Sequence, residues 1–160
     1  MKEKIIEFKL VEKENIPRIP LYMDQVTGYL DEVFGPIKRH QEEKTLTKTM
    51  INNYVKAGLI GNPQKKKYDQ EQIMQLIMIY LLKNTVQIQE IDTILKSETN
   101  KSVLYNHFRK HFEAASARLS SDINKNSKSE KMDQILSLLI SSSIQKKYAE
   151  QLIDELGDEK

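Results

Sequence analysis

The densest set of side chains able to recognise a base edge or hold an anion lies between Lys48 and Lys67. Thr49, Asn52, Asn53 and Lys56 recur at intervals of three and four residues, the spacing that gathers side chains on one face of a helix. Ile51, Tyr54, Val55 and Gly58 fall on the other side. Short amides and hydroxyls on such a face suit the major groove of DNA. Asn pairs bidentately with the N6 and N7 edge of adenine, and Thr meets a thymine methyl or a phosphate. Lys48 opens the segment, and Lys65, Lys66 and Lys67 follow it past the glycine. These lysines, with Lys56, are expected to hold phosphates, which fixes orientation without reading sequence. The plainer alternative is a solvated helix face followed by a lysine-rich loop. Tyr54 and Tyr68 are expected to be core or hinge residues rather than DNA contacts.

Other chemistries find less support. His107 and His111 stand four apart, so one helix face could offer two imidazoles to zinc, but His40 is remote and there is no cysteine. No metal and no cofactor is expected. Thiolate metal sites, disulfides and cysteine nucleophiles are excluded by composition. No Gly-rich phosphate loop and no Gly-x-Ser-x-Gly elbow occurs, and no carboxylate sits in a motif-like apolar setting. No enzyme activity is expected.

Charge is unevenly placed. Residues 35–68 carry eight basic and two acidic side chains, a net of +6, in a chain whose formal total is only +2. Gathering positive charge in one segment points to an anionic partner there. The longest nearly apolar run, Ile73 to Leu82, is too short for the ~20 residues a bilayer requires. The N-terminus mixes charge with apolar residues and has no signal-peptide core. A cytoplasmic protein without a membrane partner is the expectation.

The elements that must position these residues read mainly as helices. Residues 1–20 form an arm in which "KIIEFKLV" alternates weakly and suggests a short strand. Helices are expected at about 21–34, stopped by Gly35-Pro36, and at 47–57, ended at Gly58 in a C-cap position. "LIGNPQKKKY" suggests a two-stranded turn. Asp69 and Gln72 make a capping box for a helix that is apolar on nearly every side and therefore buried. A short helix follows near 87–96. Two long helices, about 102–124 and one opened by a Ser127/Glu130 capping box, read as an antiparallel hairpin. The second carries Leu136, Ile140, Ile144, Tyr148, Leu152 and Leu156 at a four-residue spacing. The organisation expected is an arm (1–20), a DNA-binding domain (21–97) and a C-terminal helical region (98–160) for dimerisation or partner binding.

Several motifs in Met50 to Leu95 resemble the DNA-binding domain of the MerR family of bacterial transcription regulators. They are Tyr54 followed by Gly58-Leu59, Lys66 two residues before Tyr68, then an apolar helix and Ile88, Glu90 and Ile91 in a short helix. The whole chain also resembles a MerR-like bacterial family of unknown function. The resemblance implies a mainly α protein, a MerR-type winged helix-turn-helix followed by a C-terminal α-helical region. It implies transcription regulation by a homodimer on double-stranded DNA, two recognition helices reaching half-sites about one helical turn apart. The MerR pattern usually has an arginine where this chain has Asn52. A protein–protein interaction scaffold without DNA binding is therefore the competing expectation.

Overall fold

The computed structural model describes residues 2–159. Met1 and Lys160, the outer ends of the arm and of the C-terminal region, lie outside them. The described residues hold seven α-helices, one two-stranded sheet and short 3-10 turns at Lys13–Asn15 and Gly35–Ile37; the helices and strands are α1 (Lys2–Glu7), β1 (Leu21–Tyr22), α2 (Met23–Phe34), α3 (Lys48–Lys56), β2 (Lys67–Tyr68), α4 (Gln70–Leu82), α5 (Ile88–Lys96), α6 (Lys101–Lys125) and α7 (Lys131–Asp158). The chain is mainly helical. The strands are antiparallel, with Leu21 opposite Tyr68 and Tyr22 opposite Lys67.

Helix α4 is the centre of the core. Every residue from Gln72 to Ile79 is buried, as expected of a helix apolar all round. Its start is set locally. The Asp69 carboxylate accepts from the Gln72 N–H (2.8 Å), and the Gln72 side-chain oxygen accepts from the Asp69 N–H (2.9 Å). Around α4 close α2 through Val26, Leu30 and Phe34, α3 through Ile51 and Tyr54, α5 through Ile91 and Leu95, and α6 through Leu104 and Tyr105. The cluster thus draws on both sides of residue 97. An aromatic chain links the layers. Phe34 lies 4.1 Å from Tyr80 and 6.0 Å from Phe8, and Phe8 meets Phe112 edge-on at 5.6 Å between ring centres.

The arm differs from expectation. The stretch read as a short strand holds a helix, α1, and Phe8 continues its backbone bonding by donating to the Lys4 carbonyl (3.1 Å). The only sheet among the described residues lies at another corner, so a strand here would have no partner, whereas a helix satisfies its own backbone. The following residues are stitched down. The Gln70 amide donates to the carbonyls of Lys13 (3.1 Å) and Ile16 (3.0 Å). The buried Tyr105 hydroxyl donates to the Val11 carbonyl (2.5 Å), and the Arg109 side chain donates to the Leu10 carbonyl (3.3 Å).

The capping box expected at Ser127 and Glu130 does not form. Glu130 itself is the N-cap of α7, with no side-chain bond to the helix. A backbone turn from Asn126 to Ser129 (3.0 Å) takes up Ser127, and the Gln134 amide donates to the Ser129 carbonyl (2.8 Å). Helix α7 then runs back to pack against α5.

Candidate nucleic-acid interface

Helix α3 is built by its own sequence. The Thr47 hydroxyl accepts from the Met50 N–H (3.2 Å) and caps the first turn. At the other end Gly58 adopts φ +77°, with Gly58 N–H bonded to the Val55 carbonyl (3.0 Å) and Leu59 N–H to the Tyr54 carbonyl (3.0 Å). This is a Schellman motif, and the buried Leu59 supplies its apolar contact. Ile51 and Tyr54 point into the core, while Lys48, Thr49, Asn52, Asn53 and Lys56 are all exposed.

The segment after α3 is held from below. Leu59 and Ile60 are buried, and the Gln72 amide donates to the carbonyls of Gly61 (3.0 Å) and Asn62 (3.3 Å). One side chain therefore both caps α4 and pins the approach to the lysines. Gln64 and Lys67 exchange both backbone hydrogen bonds (3.0 and 2.9 Å), closing a two-residue hairpin around Lys65 and Lys66. Both tip residues have positive φ, 50° and 65°. A two-residue hairpin requires this, and Asn and Gly satisfy it more cheaply than lysine, for which each left-handed residue costs on the order of 1 kcal/mol. Lys65 and Lys66 are exposed; Lys67 is half-buried in β2.

Residues 22 to 24 join the hairpin to the start of α3. The Lys67 ammonium lies over the Tyr22 ring, 4.9 Å from its centre. Lys48 forms an ion pair with Asp24. The first residue of α3 and the strand leading from the tip thus flank one corner of the protein. Tyr22 and Asp24 were not among the residues singled out from the sequence. Nothing local marks them, because each meets its lysine only through tertiary packing.

Electrostatically the surface is less positive than the count over residues 35–68 suggests. Asp24 offsets Lys48. Lys38 is withdrawn altogether: its side chain is only 8% exposed and its ammonium lies 3.1 Å from an Asp31 carboxylate oxygen. The same oxygen accepts from the Thr45 N–H (2.8 Å), and the Thr45 hydroxyl donates to the Leu30 carbonyl (3.4 Å). Burial would raise the Asp31 pKa, but the Thr45 hydrogen bonds and the Lys38 ammonium outweigh it and hold the carboxyl below its ordinary value. This latch fastens the connection between α2 and α3 back onto α2.

His107 and His111 are both exposed on α6. Among the described residues no group of three or more His, Cys, Asp or Glu side chains is placed to hold a metal ion. Nor is any described helix long and apolar enough to cross a membrane.

No curated protein and no solved structure matches the chain. A family model does match, over residues 11–115, and no model of the MerR family or of another helix-turn-helix family does. The MerR resemblance is therefore corrected. Its most distinctive motif, Tyr54 with Gly58-Leu59, is accounted for by the Schellman ending of α3, a device open to any helix that stops at a glycine. The matched stretch closes at Ala115, after the last α6 side chains that pack against the core, Phe108 and Phe112. By this match the chain belongs to the family described as a domain of unknown function, DUF1836.

Proposed function

We propose that this chain is a binding protein for double-stranded DNA rather than an enzyme, and that it acts in transcription regulation. The elements α2, α3 and the Gln64–Lys67 hairpin leading into β2 would serve as a winged helix-turn-helix, with α3 entering the major groove. Thr49, Asn52 and Asn53 would face base edges, and Lys48, Lys56, Lys65, Lys66 and Lys67 the phosphates. Two copies would engage successive half-sites.

The observation that carries this reading is the hairpin tip. Two lysines occupy left-handed positions where Asn or Gly would cost less, and they do so beside the exposed polar face of α3, joined to it through Tyr22 and Asp24. Strain held at an exposed basic tip is characteristic of binding sites. Isolated lysine–phosphate contacts would each add about 0.9 to the slope of log affinity against log salt.

Fluorescence anisotropy with pooled random duplexes, at about 50 and 200 mM salt, tests it. Binding should weaken steeply with salt, and the triple variant Lys65→Ala, Lys66→Ala, Lys67→Ala should flatten the slope by up to about 3. Equal binding by the triple variant would remove the hairpin from the interface. No binding at low salt would leave the protein-interaction scaffold as the better reading.

A further inference from the structure

The basic hairpin is fastened to the body of the protein at two places that differ in kind. Its return strand is β2, held by pairing with β1 and by the contact of Lys67 with Tyr22. Its entering side, residues 61–64, lies outside every helix and named strand. Gly61, Asn62 and Gln64 are exposed, in contrast to the buried Leu59 and Ile60 just before them. A Cβ placed on Gly61 would meet one atom within 4 Å beyond its chain neighbours, the Gln72 amide nitrogen at 3.8 Å. Among the described residues, no side chain except Gln72 bonds to the backbone of this stretch, through the carbonyls of Gly61 and Asn62.

The helix cap alone does not account for a glutamine at position 72. A capping box needs only an acceptor oxygen three residues into the helix, and Glu supplies one as well as Gln. In this chain α5 uses Glu90 and α2 uses the exposed Gln25, each through its side-chain oxygen. Of the three, only Gln72 is buried, and only there do N–H groups reach another segment. Its oxygen accepts from the Asp69 N–H while its nitrogen donates to two carbonyls. A buried amide with either set of partners missing would be costly. The position of residues 61 and 62 is therefore tied to the first turn of α4.

We infer that Gln72 is the positioning residue of the hairpin: through this one amide, the first turn of α4 holds the entering side and sets where the lysine tip stands beside α3. The inference rests on the proposed duplex reading only for what the tip is positioned to meet. Gln72 itself touches no phosphate. With its amide in place the tip is ordered before it binds. Without it the hairpin is attached along β2 alone, and binding must first order the tip at a cost in affinity.

Gln72→Glu and Gln72→Met in the full chain test this assignment. The glutamate keeps the oxygen that caps α4 and loses both N–H groups. The methionine keeps the size and neutrality of the side chain and loses all three bonds. In the free protein, the Gln64 amide hydrogen should exchange roughly ten-fold faster in both variants, as read by NMR. Duplex affinity at about 50 mM salt should fall by a similar factor. The salt slope of the methionine variant should stay within about 0.5 of the parent's, because every lysine is still present. Tyr105→Phe, which removes a different buried hydrogen bond, should leave exchange at Gln64 unaltered. Equal quickening in that variant would reveal a general loss of stability and overturn the inference. Unchanged exchange at Gln64 in both Gln72 variants overturns it too, whatever the duplex does. Faster exchange with undiminished duplex affinity would uphold Gln72 as the anchor and take the hairpin out of the duplex interface, so the two readings fail separately.

Discussion

Tyr22 and Lys67 are directly opposite across the β1–β2 pair, and the lysine ammonium sits 4.9 Å from the centre of the tyrosine ring. This contact binds the basic hairpin to the residues that open α2. Two positions further on, Asp24 meets Lys48 at the start of α3. The corner fixes the relative placement of helix and hairpin, and it also spends part of their positive charge internally.

That competition can be relieved. Asp24→Asn removes an exposed carboxylate beside Lys48 without altering side-chain shape. Duplex affinity should rise by roughly two- to five-fold at low salt, and the salt dependence should steepen by up to about one phosphate contact. Anisotropy titrations at several salt concentrations read both. Unchanged affinity and slope would mean that Lys48 does not face the duplex.

Stability and binding should move in opposite directions at the hairpin tip. Lys66→Gly relieves a residue held at φ 65°, and urea unfolding should show a gain of about 0.5–1 kcal/mol. Loss of the charge should weaken duplex binding. A fall in stability would show that the left-handed tip is not strained.

The Asp31 latch predicts an acid dependence. The folded carboxyl has a pKa lowered from its ordinary 3.8 by Thr45 and Lys38, against the opposing effect of burial. Its contribution to stability is therefore fully present above the ordinary value and disappears as pH falls through the lower folded value. Asp31→Asn should lower the melting temperature near neutrality and reduce the loss of stability on acidification. An unchanged acid profile in the variant would rule out the latch as a source of that loss.

Tyr105→Phe isolates the tether of the N-terminal segment. Removing the hydroxyl leaves the Val11 carbonyl without its 2.5 Å bond, at a cost of about 1–2 kcal/mol. Burial raises the tyrosine pKa well above its ordinary 10.0, so the phenol stays protonated and donating into the alkaline range. Urea unfolding measures the loss. Limited proteolysis should cut earlier near Val11 in the variant, and an unaltered cleavage rate would place the anchoring of this segment elsewhere.

Several interactions that span three or four residues were legible in the amino-acid order, although the one expected between Ser127 and Glu130 does not form. Asp69 with Gln72 starts α4, Gly58 stops α3, and the polar and apolar faces of α3 divide as their spacing dictates. The same locality explains the mistaken MerR resemblance, since a Schellman ending and a basic hairpin are solutions that unrelated chains reach independently. Weak alternation misled at the N-terminus, where Phe8 instead joins Phe34 and Phe112 at the end of a helix.

What the sequence by itself determined was the helices from α2 onward and the division of α3 and α4 into their faces, because backbone hydrogen bonding and side-chain periodicity act over a few residues; it missed α1 and the cap of α7. Tertiary structure alone decided which distant groups meet: Tyr22 with Lys67, Asp31 with Thr45, Tyr105 with Val11. It alone also decided that the stripe on α7 faces outward while its serines face α6. Periodicity identifies a face that needs covering; only the packed chain shows whether that cover comes from within.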